Sequence, residues 1–324
     1  MSGPIIARRV GLAMILMAAS FATQAEDYPA RPVKIVVPWP AGGVADISAR
    51  ALAEAMHGVL GQATIVENRP GASGKIGAAQ VAHAAPDGYT LLLGSPSALT
   101  LPTVADPTLG FDPVKDFTPI AQLSWSTYFL VIDPALDLHD TAELIAYARA
   151  HPGTLNYGSW GNGTAPHIAG AMLASAAGID IVHVPYKGEA AIVQDMVAGR
   201  LQMAFMIDAK PHIDAGRLRA LGTTAPEPWF TLPKVPPIGQ SALPGFKFLA
   251  WQGLLAPAGT PAAITETLNR AANQALQSER MRAILTQSGF TPVGGTQAQL
   301  ARTIDDDLAT IRKVAAEAHL KLEN

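Results

Sequence analysis

The chain has 324 residues, 49% of them apolar and 15% charged, with 23 basic against 26 acidic side chains and no cysteine. Without cysteine there are no disulfides, no thiolate metal site and no thiol chemistry, so stability must come from core burial. A formal charge of −3 with no basic stripe excludes a nucleic-acid partner held by phosphate neutralisation.

The chain opens with Arg8 and Arg9, an apolar run over 10–22, and small residues up to Ala25 before a polar stretch. This is the order of a secretory signal peptide, and the run is too short to span a bilayer comfortably. We expect export with cleavage after Ala25, Ala22 being an earlier alternative. That would leave 299 residues of charge −5, enough for two domains.

Residues 33–39 form a short apolar run stopped by Pro38 and Pro40, as a buried strand is. The segment 46–58 then places Ile47, Ala51, Leu52 and Ala55 on one helical face. A strand over 63–68, a glycine-rich loop, an alanine-rich helix ending at Ala85 and a strand over 87–95 follow. Strand and helix in alternation imply a parallel sheet with right-handed crossovers.

The plan then repeats, with strands expected over 154–161, 179–188, 200–207 and 217–224 and helices over 165–178 and 189–199. Two apolar crossings, 117–133 and 246–259, lie between the units, so the second domain is inserted into the first. The predicted fold is α/β and two-lobed. Each lobe is a mostly parallel sheet flanked by helices, with 26–125 and 248–324 in lobe 1 and 126–247 in lobe 2. At the C-terminal end Thr260 can cap a helix whose first residue is Pro261, with Ile264, Leu268 and Leu276 as its stripe. Thr296 and Gln299 fit a capping box ahead of Leu300, Ile304, Leu308 and Ile311.

The chemistry concentrates where strands meet helices. After the first strand, Trp39, Ala41, Gly42, Gly43 and Val44 lead into a helix near Asp46, and the glycines permit backbone angles and close approaches that a side chain would block. Unpaired N–H groups and the positive end of the helix dipole then point from the carboxyl edge of the sheet, where α/β sheets bind ligands and an anion is the natural occupant. Asp46 either joins that site or fills the role itself as a local cap. A second such turn comprises Ser159, Trp160, Gly161, Asn162, Gly163 and Thr164 ahead of a helix carrying His167. The two turns are expected to face each other across a cleft. Ser95 and Ser97 end a buried strand at the first edge; Tyr186 and Lys187 end another at the second, where Lys187 would add positive potential. Trp39 and Trp160 serve either an apolar or aromatic ligand body or domain packing; His167 either touches ligand or caps the loop.

Together, 28–50, 66–95, 156–170, 183–188 and 215–224, above all "ENRPGASG" and "APDGYTLL", resemble the Bug family, the extracytoplasmic solute-binding receptors of tripartite tricarboxylate transporters. The resemblance spans nearly the whole mature chain. It implies a periplasmic-binding-protein fold whose lobes close on a small carboxylate, with the loops at 38–46 and 159–164 holding it through backbone groups and water. The chain departs from the family at Trp39 and Ala45, where Phe and Thr are common. Met206 stands where an acid is usual, with Asp208 nearby, which counts against an amino-acid ligand.

The expected function is therefore periplasmic capture of a small carboxylate-bearing organic anion, aromatic or dicarboxylic, by a monomer without cofactor or metal, for delivery to membrane transport subunits. A rival output is presentation to a membrane sensor kinase. A rival chemistry is a serine hydrolase using Ser159 with His167 or His183, although Tyr157 breaks the G-x-S-x-G elbow. "PGASGKIG" lacks the spacing of a phosphate-binding loop, and no histidines stand at metal spacing on one helix.

Overall fold

The computed structural model describes residues 28–105 and 109–317; the leader expected over 1–25 lies outside them. Lobe 1 begins with β1 (Val33–Val37), α1 (Val44–Leu60), β2 (Thr64–Asn68), α2 (Lys75–Ala82) and β3 (Thr90–Gly94). Two short helices, α3 (Pro96–Leu99) and α4 (Pro102–Ala105), precede the long β4 (Phe117–Thr127), after which the chain enters the second sheet at β5 (Phe129–Ile132). There α5 (Thr141–Ala150), β6 (Asn156–Ser159), α6 (Ala165–Ala177), β7 (Val182–Pro185), α7 (Glu189–Val197) and β8 (Met203–Met206) alternate. Then come α8 (Lys210–Asp214), β9 (Arg219–Thr223) and α9 (Ile238–Ser241). The chain returns through β10 (Leu249–Pro257) and ends in α10 (Ala262–Ala275), α11 (Glu279–Gln287), β11 (Thr291–Pro292) and α12 (Gln297–Glu317).

The sheets are ordered β11-β4-β10-β3-β1-β2 and β7-β6-β8-β5-β9. Parallel pairing, expected for most of each sheet, holds for β2-β1-β3 and β7-β6-β8. The remaining pairs are antiparallel. In lobe 1 the reason lies in the connections: a chain that leaves along β4 and comes back along β10 lays those strands side by side in opposite directions. The sheets are mixed, and β4 and β10 carry the two crossings.

Both faces of β5, which lies between β8 and β9 in the lobe 2 sheet, are covered. Leu130 and Ile132 of β5 join Phe205, Leu144 and Leu173 on one side, while Phe129 and Val131 join Met206, Ile192 and Met196 on the other. Alternation of period two thus points every residue of β5 into a core. In lobe 1, Val36, Leu92 and Leu255 pack with Trp251 and the α12 stripe Leu300, Ile304 and Leu308. The capping box of α12 is formed, since Gln299 N–H donates to Thr296 Oγ1 and Thr296 N–H to Gln299 Oε1.

Two local expectations shift. Pro261 caps α10 and Ala262 begins it, while the Thr260 hydroxyl turns back to the Pro257 carbonyl. Helix α1 starts at Val44 with Gly43 as its cap, and it buries Ala49, Ala51, Leu52, Ala53 and Met56. Ile47, expected on that face, is 43% exposed, because the first turn of α1 extends past the edge of the sheet. Among the described residues no helix is long and apolar enough to cross a membrane.

Candidate functional site

In lobe 1 the chain leaves β1 through a buried Pro38 and an exposed bend. Gly42 takes φ +83°, a left-handed conformation that L side chains rarely adopt, and this lets the chain reverse into α1. Asp46 is buried in the first turn and spends its carboxylate on the protein. It accepts Gly42 N–H at 2.9 Å, Asn68 Nδ2 at 2.9 Å and Arg50 Nε at 2.9 Å. Asn68 also donates to the Trp39 carbonyl at 3.1 Å. Burial works against the charge of Asp46, but these donors outweigh it and hold the acid below its usual range. Of the two roles left open, these bonds give Asp46 the local one, a staple that shapes the loop. It satisfies only Gly42: among the described residues no acceptor bonds the N–H of Gly43, Val44 or Ala45, and Ile47 N–H is the first to close the α1 ladder, on the Gly43 carbonyl. Trp39, half-buried, and the exposed Ala41 flank this row of donors.

In lobe 2 the turn after β6 is tied more tightly. Ser159 is wholly buried; its Oγ donates to the Gly161 carbonyl at 2.9 Å and accepts Gly161 N–H at 3.1 Å. The same Oγ lies 2.6 Å from His183 Nε2, within hydrogen-bond distance. Thr164 Oγ1 donates to the same carbonyl at 2.7 Å, and His167 Nδ1 accepts Gly163 N–H at 3.0 Å. His167 therefore braces the loop from behind, the capping role, instead of reaching for ligand. The His167 and His183 rings stack at 3.9 Å, and burial pushes them down to about 4 and about 3, the second lowered further by its neighbour.

The two lobes meet at these edges. Ser97 Oγ accepts Ala165 N–H, at the start of α6, at 3.1 Å, and Ser73 Oγ reaches the carbonyl of the exposed Asn162 at 3.5 Å. Both serines lie near Pro38, Ser73 just before Gly74 and Ser97 in the first turn of α3, since a Cβ on Gly74 would lie 2.8 Å from Ala98 and 3.4 Å from Pro38. The second turn thus contacts lobe 1 through Ser73 and Ser97.

Three fully shielded polar atoms at these edges have no hydrogen-bond partner: Ser95 Oγ at the end of β3, Trp160 Nε1 beyond β6, and Glu189 Oε1 at the start of α7. Buried polar groups are normally satisfied, so each of these atoms, at a strand end or a helix start, is free to bond a guest. Trp160 packs against both lobe 2 cores and sits 6.4 Å from the Tyr128 ring, so it serves packing while its indole N–H stays unpaired.

Other candidates fall elsewhere. Tyr186 donates its hydroxyl to Asp195 at 2.9 Å. Lys187 and Asp208 are exposed at the ends of β7 and β8. Asp208 acts electrostatically on Glu189, which burial, and then this like charge, push up to about 7. Glu189, Ser73 and Tyr128 are absent from the sequence reading. An acid in a first helical turn ordinarily faces water, and the one available signal for Glu189 was its place directly after a glycine at a strand end. A groove of about 890 Å³ opens apart from all of these, between α6 and α12, lined by Met172, Phe246, Phe248, Trp251 and Asp307.

Comparison with known proteins agrees with this architecture. Residues 48–320 match the model of the tripartite tricarboxylate transporter family receptor. Protein BugT of Bordetella pertussis is 34% identical over 319 residues, covering 97% of each chain. MatC (Rpa3494) from Rhodopseudomonas palustris, solved with bound malate, superposes with a TM-score of 0.80 at 32% identity, covering 89% of this chain and 99% of that one. Rpa4515 of R. palustris, solved with adipate, gives 0.80 at 32% identity over 90% and 99%.

Proposed function

The chain belongs to the tripartite tricarboxylate transporter receptor family, and from that premise we propose that it captures a small carboxylate-bearing organic anion in the periplasm for delivery to membrane transport subunits. The observation that carries this reading is the row of N–H groups of Gly43, Val44 and Ala45 at the start of a 17-residue helix, without protein acceptors. The nearby Ser95 hydroxyl, also without a partner, adds a further donor to the same edge. Aligned amides and the helix dipole favour an anion there, and each charge-assisted bond contributes roughly 1.5–3 kcal/mol before costs. The malate and adipate held by the two R. palustris relatives support a carboxylate as the guest.

In this reading the moving bodies are lobe 1, residues 26–125 with 248–324, and lobe 2, residues 126–247. Ligand satisfies donors of both, and the closed population grows with its differential affinity for that form. Capture requires no covalent step. The test is a thermal-shift screen of mono- and dicarboxylates, aromatic ones included, with native mass spectrometry of freshly purified protein. A retained acid or a raised melting temperature is expected; a panel that leaves it unmoved refutes the reading.

A further inference from the structure

Glu189 is the first residue of α7, following the three-residue bend after β7. Because β6, β7 and β8 run parallel, their ends bring Trp160, Glu189 and Asp208 to one edge of the sheet. Tyr128, just before β5, joins that edge, since Phe129 pairs with Met206 at the end of β8. Glu189 is turned inward: its Oε1 is fully shielded, and its charge acts on the buried Tyr128 hydroxyl.

What is missing around this acid is a cation. The charged group acting on Glu189 is Asp208, of like sign, and among the described residues neither acid forms an ion pair. Nearby His212 is held neutral, its burial and Arg217 outweighing the pull of Asp208. A shielded carboxyl without a hydrogen bond or counter-charge is costly, and it persists where a ligand supplies what the protein lacks. A second carboxylate would bring a third negative charge to this corner. An ammonium group would meet two acids and the rings of Trp160 and Tyr128, whose faces also favour a cation. Trp160 Nε1, an unpaired donor at the same edge of the sheet, suits the other end of such a molecule.

We infer that the lobe 2 edge of the cleft selects a carboxylate that also carries an ammonium group, with Glu189 as the acceptor of that group. This rests on the carboxylate-capture reading and narrows it. The substitution of an acid by methionine at 206, which argued against an amino-bearing ligand, is offset by an acid entering from α7.

The test compares butanoate, succinate and 4-aminobutanoate, together with succinate against aspartate, by calorimetry at pH 8 on the wild type and Glu189→Gln. The wild type is expected to prefer the ammonium-bearing member of a set by about tenfold or more. Glu189→Gln is expected to lose that preference, its affinities for 4-aminobutanoate and butanoate converging. Near pH 7, ammonium binding to the wild type should release a proton, detected as a buffer-dependent enthalpy that Glu189→Gln lacks; Asp208, His212 and Tyr128, unchanged in both proteins, serve as the control. Preference for the dicarboxylate, or a preference that survives in Glu189→Gln, overturns the inference and leaves carboxylate capture standing. Failure of every carboxylate to bind overturns both.

Discussion

Ser97 and Ala165 lie 68 residues apart and on opposite lobes, yet the Ser97 hydroxyl accepts the Ala165 amide at 3.1 Å in a buried setting. One lobe thereby caps the helix of the other. Replacing Ser97 with Ala leaves that amide without an acceptor in the closed arrangement, a penalty of about 1–3 kcal/mol. The ligand-free Ser97→Ala protein should shift toward an open form, seen as a larger radius of gyration in small-angle X-ray scattering and faster amide exchange at the start of α6. A threonine there, which keeps the hydroxyl, should restore the wild-type profile. Identical scattering and exchange in wild type and Ser97→Ala would contradict a latch.

Asp46 exerts its influence on the ligand through the loop it holds. Its carboxylate fixes Gly42, Asn68 and Arg50 at once, and Asn68 in turn fixes the Trp39 carbonyl. Asp46→Ala should cost about 1–3 kcal/mol in urea denaturation and about tenfold or more in ligand affinity, since the free amides of Gly43 to Ala45 lose their placement. Asp46→Asn, which keeps one acceptor oxygen, should fall between. A variant that unfolds like the wild type while binding more weakly would restore Asp46 to the role of direct contact.

The parts of this molecule that a reader of the sequence can find are those set by short-range geometry. Pro38 and Pro40 must end a strand, a glycine at 42 permits φ +83°, and Thr296 and Gln299 cap a helix wherever it packs. Glu189 is different: nothing within its neighbourhood in sequence separates a solvated first-turn acid from one with a fully shielded carboxyl oxygen. The Ser97 to Ala165 bond depends likewise on the closure of two lobes. The antiparallel pairs follow from chain return through β10 in lobe 1 and from β5 lying between β8 and β9 in lobe 2, long-range facts that strand and helix alternation does not encode.

Two sets of buried groups should pull the pH profile of the ligand-free protein in opposite directions. Burial holds His167 down to about 4 and His183 down to about 3, so the unfolded chain binds their protons more tightly. Their contribution is present above the ordinary histidine value and is lost as the pH falls toward 4 and 3. Burial holds Asp307 up to about 6 and Glu189 up to about 7, so there the folded chain binds the proton more tightly. Their contribution is present below the ordinary carboxyl values and is lost as the pH rises through about 6 and then about 7. The melting temperature should therefore peak in the mildly acidic range. Glu189→Gln should gain on the wild type at pH 8 and not at pH 5; equal differences at both would show that the carboxyl carries no buried charge at pH 8.

Ser159 and His183 stand 2.6 Å apart, a separation that in a hydrolase would join nucleophile to base. A nucleophilic serine must hand its proton to the imidazole, whereas this hydroxyl is already engaged within its own turn, bonded to both the carbonyl and the N–H of Gly161. Among the described residues no hydrogen bond joins a carboxylate to His183, which stacks on His167. Ser159 is also wholly buried. With Ser159 as a staple of the turn, Ser159→Ala should abolish no ester or amide turnover. It should instead leave Gly161 N–H unsatisfied, destabilise the fold by about 1–3 kcal/mol, and weaken carboxylate binding as the turn loosens. Chromogenic esters assayed beside calorimetry separate the outcomes: turnover by the wild type that disappears in Ser159→Ala would make the pair catalytic.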